Sequence, residues 1–326
     1  PGLLVKQNVM RLINKIIKID SKAHLVLIVY KMWFAIEDQE KYDRFANIVK
    51  SLKELNNLVN FYFYEDKLYI QLMDSAHVSI LEVTFSSDWF HEYNYDTEED
   101  MITIGLDSDI LYRVLSTKQS GQSFTFRYEN GGDEVDIVFE NKKANDDVSG
   151  DVTEALGKMS LNGDVEVPKE KRKRRNKTYE KQFILKMYEI ENTMMDLPFK
   201  EQQAMFVMES QEFTKVVDQM ALFSDVVTIA IRDEYINFVT SDEQNGTSCI
   251  KVGYDDVEEI DAEDCEEGDT LLENTYVIKY LKMFCHFAKV VPLTSVSLTN
   301  EAPICTAIDL GDASILRLFI APKIND

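Results

Sequence analysis

The chain has 326 residues, 45% of them apolar and 11% aromatic, which supplies two packed cores and excludes a disordered protein. Its 58 acids outnumber its 35 bases for a net charge of -23, so a uniformly mixed surface would repel nucleic acid and membranes. A nucleic-acid role therefore requires bases segregated on one face. The cysteines Cys249, Cys265, Cys285 and Cys305 show no CxxC pairing and no histidine at zinc spacing, so reduced thiols in an intracellular protein are expected, with no metal and no cofactor. There is no run of 18 apolar residues, hence no expected membrane helix.

Residues 3–19, LLVKQNVMRLINKIIKI, are apolar at helical spacing with interspersed bases and lack the apolar centre of a signal peptide. An N-terminal extension over residues 1–24 is expected. Next, KYDRFANIVKSLKEL (41–55) places Phe45, Ile48, Val49 and Leu52 on one helical face, and NLVNFYFYEDKLYIQL predicts a hairpin turning at Glu65 and Asp66. SDILYRVLSTK (108–118) predicts a second helix, followed by a hairpin turning at Asn130 and Gly131.

The second half repeats this order. SQEFTKVVDQMALF (210–223) places Phe213, Val216, Val217 and Met220 on one face and precedes a hairpin turning at Asp233 and Glu234. TYVIKYLKMFCHFAK (275–289) then matches the helix at 108–118. Phe45 to Phe213 and Ile110 to Ile278 are both offsets of 168 residues, which points to a duplication. Two α+β units with helices on one sheet face are expected. Between them, residues 142–182 are polar and poor in aromatics, with the basic run KEKRKRRNK at 169–177, suited to nuclear-import recognition or loose DNA contact. Residues 183–200 predict a strand leading into a connector broken at Pro198.

Two features bear on function before any likeness is considered. Within MDSAHV (73–78), Asp74, Ser75 and His77 could form a nucleophile and a base, but the sequence has no G-x-S-x-G elbow, P-loop or H-E-x-x-H. Non-catalytic function is expected. On the last helix, Lys279, Lys282, His286 and Lys289 fall at i, i+3, i+7 and i+10, and residues 276–289 contain no acid. That one-sign stripe fits sequence-independent phosphate contact. The first helix adds Lys41, Arg44, Lys50 and Lys53, diluted by Asp43 and Glu54; the second adds Arg113 and Lys118. Acids concentrate elsewhere, nine of them without a base in residues 257–274.

LYIQLMDSAHVSILEVTF, SQEFTKVVDQMALFSDVVTIAI, YLKMFCHFAKVVPLTSVSLTNEAPI and the terminal LRLFIAPKIND together resemble the sliding-clamp family of proliferating cell nuclear antigen. The resemblance implies a duplicated two-domain α+β sliding-clamp fold. Three subunits would close head to tail, helices lining the ring interior around duplex DNA and β-sheets outside. The implied domains are 25–190, carrying the insertion 142–182, and 201–326, joined by a connector at 191–200. Lys53, Arg113, Lys215 and Lys279 stand where the family places inward bases, whereas Asp218 and Leu222 depart from that pattern.

The resemblance also implies a pocket for client peptides on the outer face. Its residues by match are Met73, His77, Val78 and Ile80, with Met195 and Leu197 from the connector. Pro303, Phe319, Ile320, Ala321 and Pro322 complete the wall. Methionine suits a surface that accepts varied partners. Subunits would join by pairing two edge strands. One holds Phe183, Ile184, Leu185, Lys186 and Met187; the other holds Gly246, Thr247, Ser248, Cys249, Ile250, Lys251 and Val252. Implied partners are duplex DNA, DNA polymerase and other replication or repair proteins, a clamp loader and further copies of the chain. Residence in the nucleus, or at viral replication sites if the source is a large DNA virus, follows. The alternative is a clamp-fold scaffold in transcription or regulation that does not close on DNA, motivated by Asp218 and the insertion.

Overall fold

The computed structural model describes residues 30–129, 131–142, 179–191, 194–195, 197, 202–262, 270–289, 291–300 and 302–323, and the backbone of 17–19 and 25–27. The insertion's basic run, Pro198 and the centre of the acidic run lie outside the described residues. Within the N-terminal extension, β1 (Ile17–Ile19) pairs antiparallel with β2 (Leu25–Leu27), so the end of the segment with helical spacing is a strand.

The first repeat runs β3 (Tyr30–Ile36), α1 (Gln39–Leu52), β4 (Leu58–Phe63), β5 (Lys67–Met73), β6 (Ser79–Ser86), β7 (Glu92–Tyr95), β8 (Ile102–Asp107), α2 (Ser108–Leu115), β9 (Gln122–Glu129), β10 (Glu134–Asn141) and β11 (Lys181–Lys186). The second has the same order: β12 (Ala204–Glu209), α3 (Ser210–Met220), β13 (Val226–Arg232), β14 (Tyr235–Asp242), β15 (Gly246–Gly253), β16 (Glu259–Ala262), β17 (Thr270–Val277), α4 (Ile278–Ala288), β18 (Leu293–Leu298), β19 (Ile304–Gly311) and β20 (Ser314–Ile320). Residues 275–277, expected to be helical, close β17 instead.

The pairings repeat as well. β11-β10-β9-β3-β7 form one sheet, and β15-β14-β13-β17 another. A nine-stranded sheet, β16-β12-β18-β19-β20-β6-β5-β4-β8, crosses from one repeat into the other where β20 pairs with β6. Asp38 caps α1 by accepting from Lys41 N, and Asp107 caps α2 by accepting from the Asp109 and Ile110 amides. α3 and α4 have no side-chain cap. Their first amides donate instead to Pro292 O and Asp225 O, at 2.8 and 2.9 Å.

Each helix buries its apolar stripe on the sheets. Phe45, Ile48, Val49 and Leu52 of α1 join a core with Phe34, Phe63, Phe124 and Phe126; Phe213 of α3 meets Phe284 of α4 edge to face. α1 packs on α2, α3 on α4, and α1 meets α4 between the repeats, giving a continuous helical layer in the order α2, α1, α4, α3.

Candidate functional site

On α4 the fold sorts residues by charge. Ile278, Tyr280, Leu281, Met283, Phe284, Cys285, Phe287 and Ala288 are buried, which leaves Lys279, Lys282 and His286 as its exposed side chains, followed by exposed Lys289 at the C-cap. The exposed face thus carries cationic or titratable groups alone. Acids from neighbouring helices reach only part of it: Lys282 Nζ lies 3.8 Å from Asp218 of α3, and His286 Nδ1 lies 3.4 Å from Glu54 beyond α1.

The remaining sequence-predicted bases divide into two groups. Lys50 is exposed over the Tyr112 ring, Lys53 and Arg113 share Asp109 at 3.2 Å each, and Lys215 pairs with Glu212. Such exposed pairs are weak and can be exchanged for phosphate. Lys118 donates to Gln39 Oε1 at 2.7 Å, and its partial burial lowers its pKa. By contrast, Lys41 Nζ bonds Trp89 O at 2.8 Å and Asp312 Oδ2 at 2.6 Å, while Arg44 donates to Leu310 O at 3.1 Å and pairs with Glu40. Both side chains are held against the β19–β20 turn of the other repeat. The sequence carries no local sign of that use.

The outer face is built by register. Met73 pairs with Ile80, Ile80 with Phe319, and Phe319 with Cys305 across β5, β6, β20 and β19, so these four share one half-exposed surface of the sheet. Ile80 faces outward, since its neighbours Ser79 and Leu81 are the buried ones. Ile320 corrects the expectation: it alternates with Phe319 and is 0% exposed, facing the core, where no partner reaches it. Val78, Ala321 and Pro322 are half-buried, and His77 and Pro303 are exposed.

The connector crosses this face. Tyr188 N donates to Gly105 O at 2.9 Å, Asn60 Nδ2 to Ile190 O at 3.2 Å, and Gln71 exchanges two bonds with the Met195 backbone at 2.9 and 2.8 Å. A Cβ on Gly105 would lie 2.2 Å from Tyr188 O, so only glycine permits this approach. Met195 is thereby fixed beside Gln71 of β5. Asn60 and Gln71, 3% and 4% exposed, are absent from the sequence-predicted site; polar amides in apolar strands are the signal that could have found them.

Asp74 does not act as an acid beside a base. Burial raises its pKa, but bonds from Ser79, Tyr280, Ala76 and Val78 outweigh that and hold it below the usual carboxylate value. His77 occupies the left-handed region at φ 58 in the loop that Asp74 organises. Among the described residues no cluster of three His, Cys, Asp or Glu could hold a metal, and no helix is long and apolar enough to cross a membrane.

The two strands expected to join subunits both end their sheets, β11 in the five-stranded and β15 in the four-stranded one. Phe183, Leu185 and Met187 face the core beside an outward Ile184 that is 49% exposed; Ile250 and Val252 do the same on β15, with Thr247, Cys249 and Lys251 outward. Each strand leaves a row of backbone groups without an intrachain strand partner.

A duplicated α+β chain with one continuous helical layer, a cationic α4 and open strands in two separate sheets has the architecture of a DNA sliding clamp. The family models "Proliferating cell nuclear antigen, N-terminal domain" and "C-terminal domain" match residues 41–165 and 196–323. Proliferating cell nuclear antigen of Chaetomium thermophilum is 24% identical over 279 residues, 86% of this chain and 94% of that protein. The Saccharomyces cerevisiae protein of the same name is 24% identical over 287 residues, 88% and 97% of the two chains. The crystal structure of the Entamoeba histolytica protein aligns with a TM-score of 0.69 at 18% identity, covering 91% of this chain and all of that one. The chain belongs to the proliferating cell nuclear antigen family. It is a sliding clamp that acts without catalysis, binding DNA, polymerases and repair proteins as a homotrimer.

Proposed function

We propose that the helical layer is the DNA-facing surface and that α4 is its principal contact. The observation carrying this reading is the α4 face, whose exposed side chains are Lys279, Lys282, His286 and Lys289 in a chain of net charge -23. Lys50, Lys53, Arg113, Lys118 and Lys215 add weaker contacts from the other helices. Lys41 and Arg44 are left out, because their donors hold the repeats together. Phosphate contact of this kind carries no sequence information, and a closed ring needs only modest attraction to stay on a duplex while sliding.

Docking of client proteins is assigned to the outer face formed by Met73, Val78, Ile80, Phe319, Ala321 and Pro322, walled by Met195 and Leu197, with His77 and Pro303 at the rim. An amphipathic helical segment laying apolar anchors between loop, connector and tail fits this surface. Subunits join by antiparallel addition of β11 to the β15 of the next copy. The pairing of β20 with β6 inside the chain supports this: those strands hold the places in the duplicated order that β11 and β15 hold at the open edges. The domains are residues 25–190 and 201–326 about a connector at 191–200, and the clamp works at replication sites in the nucleus.

Native mass measurement at micromolar concentration tests the ring. A species three times the 37.7 kDa chain is expected, converting to monomer when the outward Ile184 and Cys249 are both replaced by Asp. A monomer at every concentration for the unaltered chain would sink the closed-ring reading in favour of a scaffold.

A further inference from the structure

α4 is packed by Leu281, Met283, Phe284 and Phe287, all apolar, yet the buried position in the middle of its first turn is a tyrosine. Phenylalanine would fill the same volume there. The Tyr280 ring is 4% exposed, and its hydroxyl leaves the second repeat to reach Asp74 of the first, at 2.7 Å from Oδ2. Asp74 is itself 6% exposed. Its Oδ2 also accepts from Ala76 N at 3.0 Å, and its Oδ1 from Val78 N at 2.8 Å, Ser79 N at 2.7 Å and Ser79 Oγ at 3.3 Å. A carboxylate out of water is tolerated only when its lone pairs are filled in this way. Three of those donors are amides of the 74–79 loop, which also carries the left-handed His77, a conformation that its surroundings must enforce. Val78 O then accepts from Ala321 N at 2.9 Å, which sets the path of the C-terminal tail.

We propose that Tyr280 is a positioning residue for partner docking: its hydroxyl orients Asp74, Asp74 shapes the 74–79 loop, and the loop places both Val78 and the tail that wall the pocket. The inference rests on the reading of the outer face as the docking site. It makes a residue of the DNA-facing helix, next to Lys279 in sequence and beneath its ammonium group at 5.0 Å, a determinant of binding on the opposite surface.

The test uses the full chain and a fluorescent helical peptide with one aliphatic and two aromatic anchors at i, i+3 and i+4. Tyr280→Phe keeps the ring and removes the hydroxyl. About a tenfold weaker peptide affinity is expected, the order set by losing one hydrogen bond to a charged group. Hydrogen exchange across residues 76–79 should quicken by a similar factor, while exchange in α4 and affinity for duplex DNA stay as in the unaltered chain. A purely structural role would spread the change over α4 and its neighbours. In a cycle with Asp74→Asn the losses should be non-additive. Unchanged peptide affinity and unchanged 76–79 exchange in Tyr280→Phe, or additive losses in the cycle, would overturn the proposal. If Ile80→Glu leaves peptide binding intact, the docking reading itself fails, and the exchange of residues 76–79 still decides whether Tyr280 holds the loop.

Discussion

The helical layer, proposed to face DNA, and the outer sheet face, proposed to dock client proteins, are made by the same duplicated chain but differ in the physics of recognition they suit. On the helices, the proposed recognition is spread out: exposed Lys279, Lys282 and Lys289 are held by no more than a weak surface pair such as Lys282 with Asp218, so each could let go of one phosphate and take the next. On the sheet, recognition is concentrated. Met73, Ile80 and Phe319 lie side by side across three strands, and two of the segments around them are tied by buried side chains, the loop by its amides donating to Asp74 and the connector by its bonds with Gln71. A surface for sliding gains from loose, interchangeable contacts, and a surface for docking gains from preorganisation.

The contrast is broken most severely by placing a charge in the concentrated surface. Ile80→Glu should reduce docking-peptide affinity by about a hundredfold, as expected of a central anchor site, with DNA affinity unaltered. Fluorescence anisotropy with peptide and with duplex reads both, and equal peptide binding would remove the sheet face from consideration. The complementary change, Lys279, Lys282 and Lys289 together to Ala, should weaken duplex binding by about tenfold at low salt. The slope of log affinity against log salt should become less steep by about 0.9 for each phosphate that is no longer neutralised. A slope that does not move would show that α4 does not meet phosphate. The smallest effect sharpens the distinction within the helical layer. Asp218→Asn removes the acid 3.8 Å from Lys282, and duplex affinity should rise about twofold at low salt, a gain that vanishes as salt is added.

What can be read in the sequence follows from the range of the physics involved. The α4 stripe is a local pattern at helical period, so Lys279, Lys282, His286 and Lys289 are legible as one face from their spacing alone. The duplication is legible because the same hydrophobic spacings recur at one offset. Contacts between the repeats are not. Lys41 looks like any other base of α1 until Asp312, 271 residues away, is placed against it. Ile320 reads as a pocket residue from its terminal motif, but alternation along β20 turns it inward while Phe319 faces out. The acid, hydroxyl and imidazole of the 74–77 loop resemble a reaction centre in one dimension. In three, the acid is consumed by amides and by Tyr280 from the other repeat.

The junction of β20 with β6 has a consequence for how such a ring fails. In the ring proposed above, with β11 added to β15 of the next copy, the same kind of sheet seam would recur at every module boundary, and covalent chain would span every other one. At β20 and β6 a parted seam remains tethered, and its two lips re-meet because the chain that joins the repeats keeps their effective concentration high. At β11 and β15 the lips diffuse apart. The proposed ring would therefore have built-in break lines at alternate seams, and any agent that opens it would meet least resistance where the backbone does not cross.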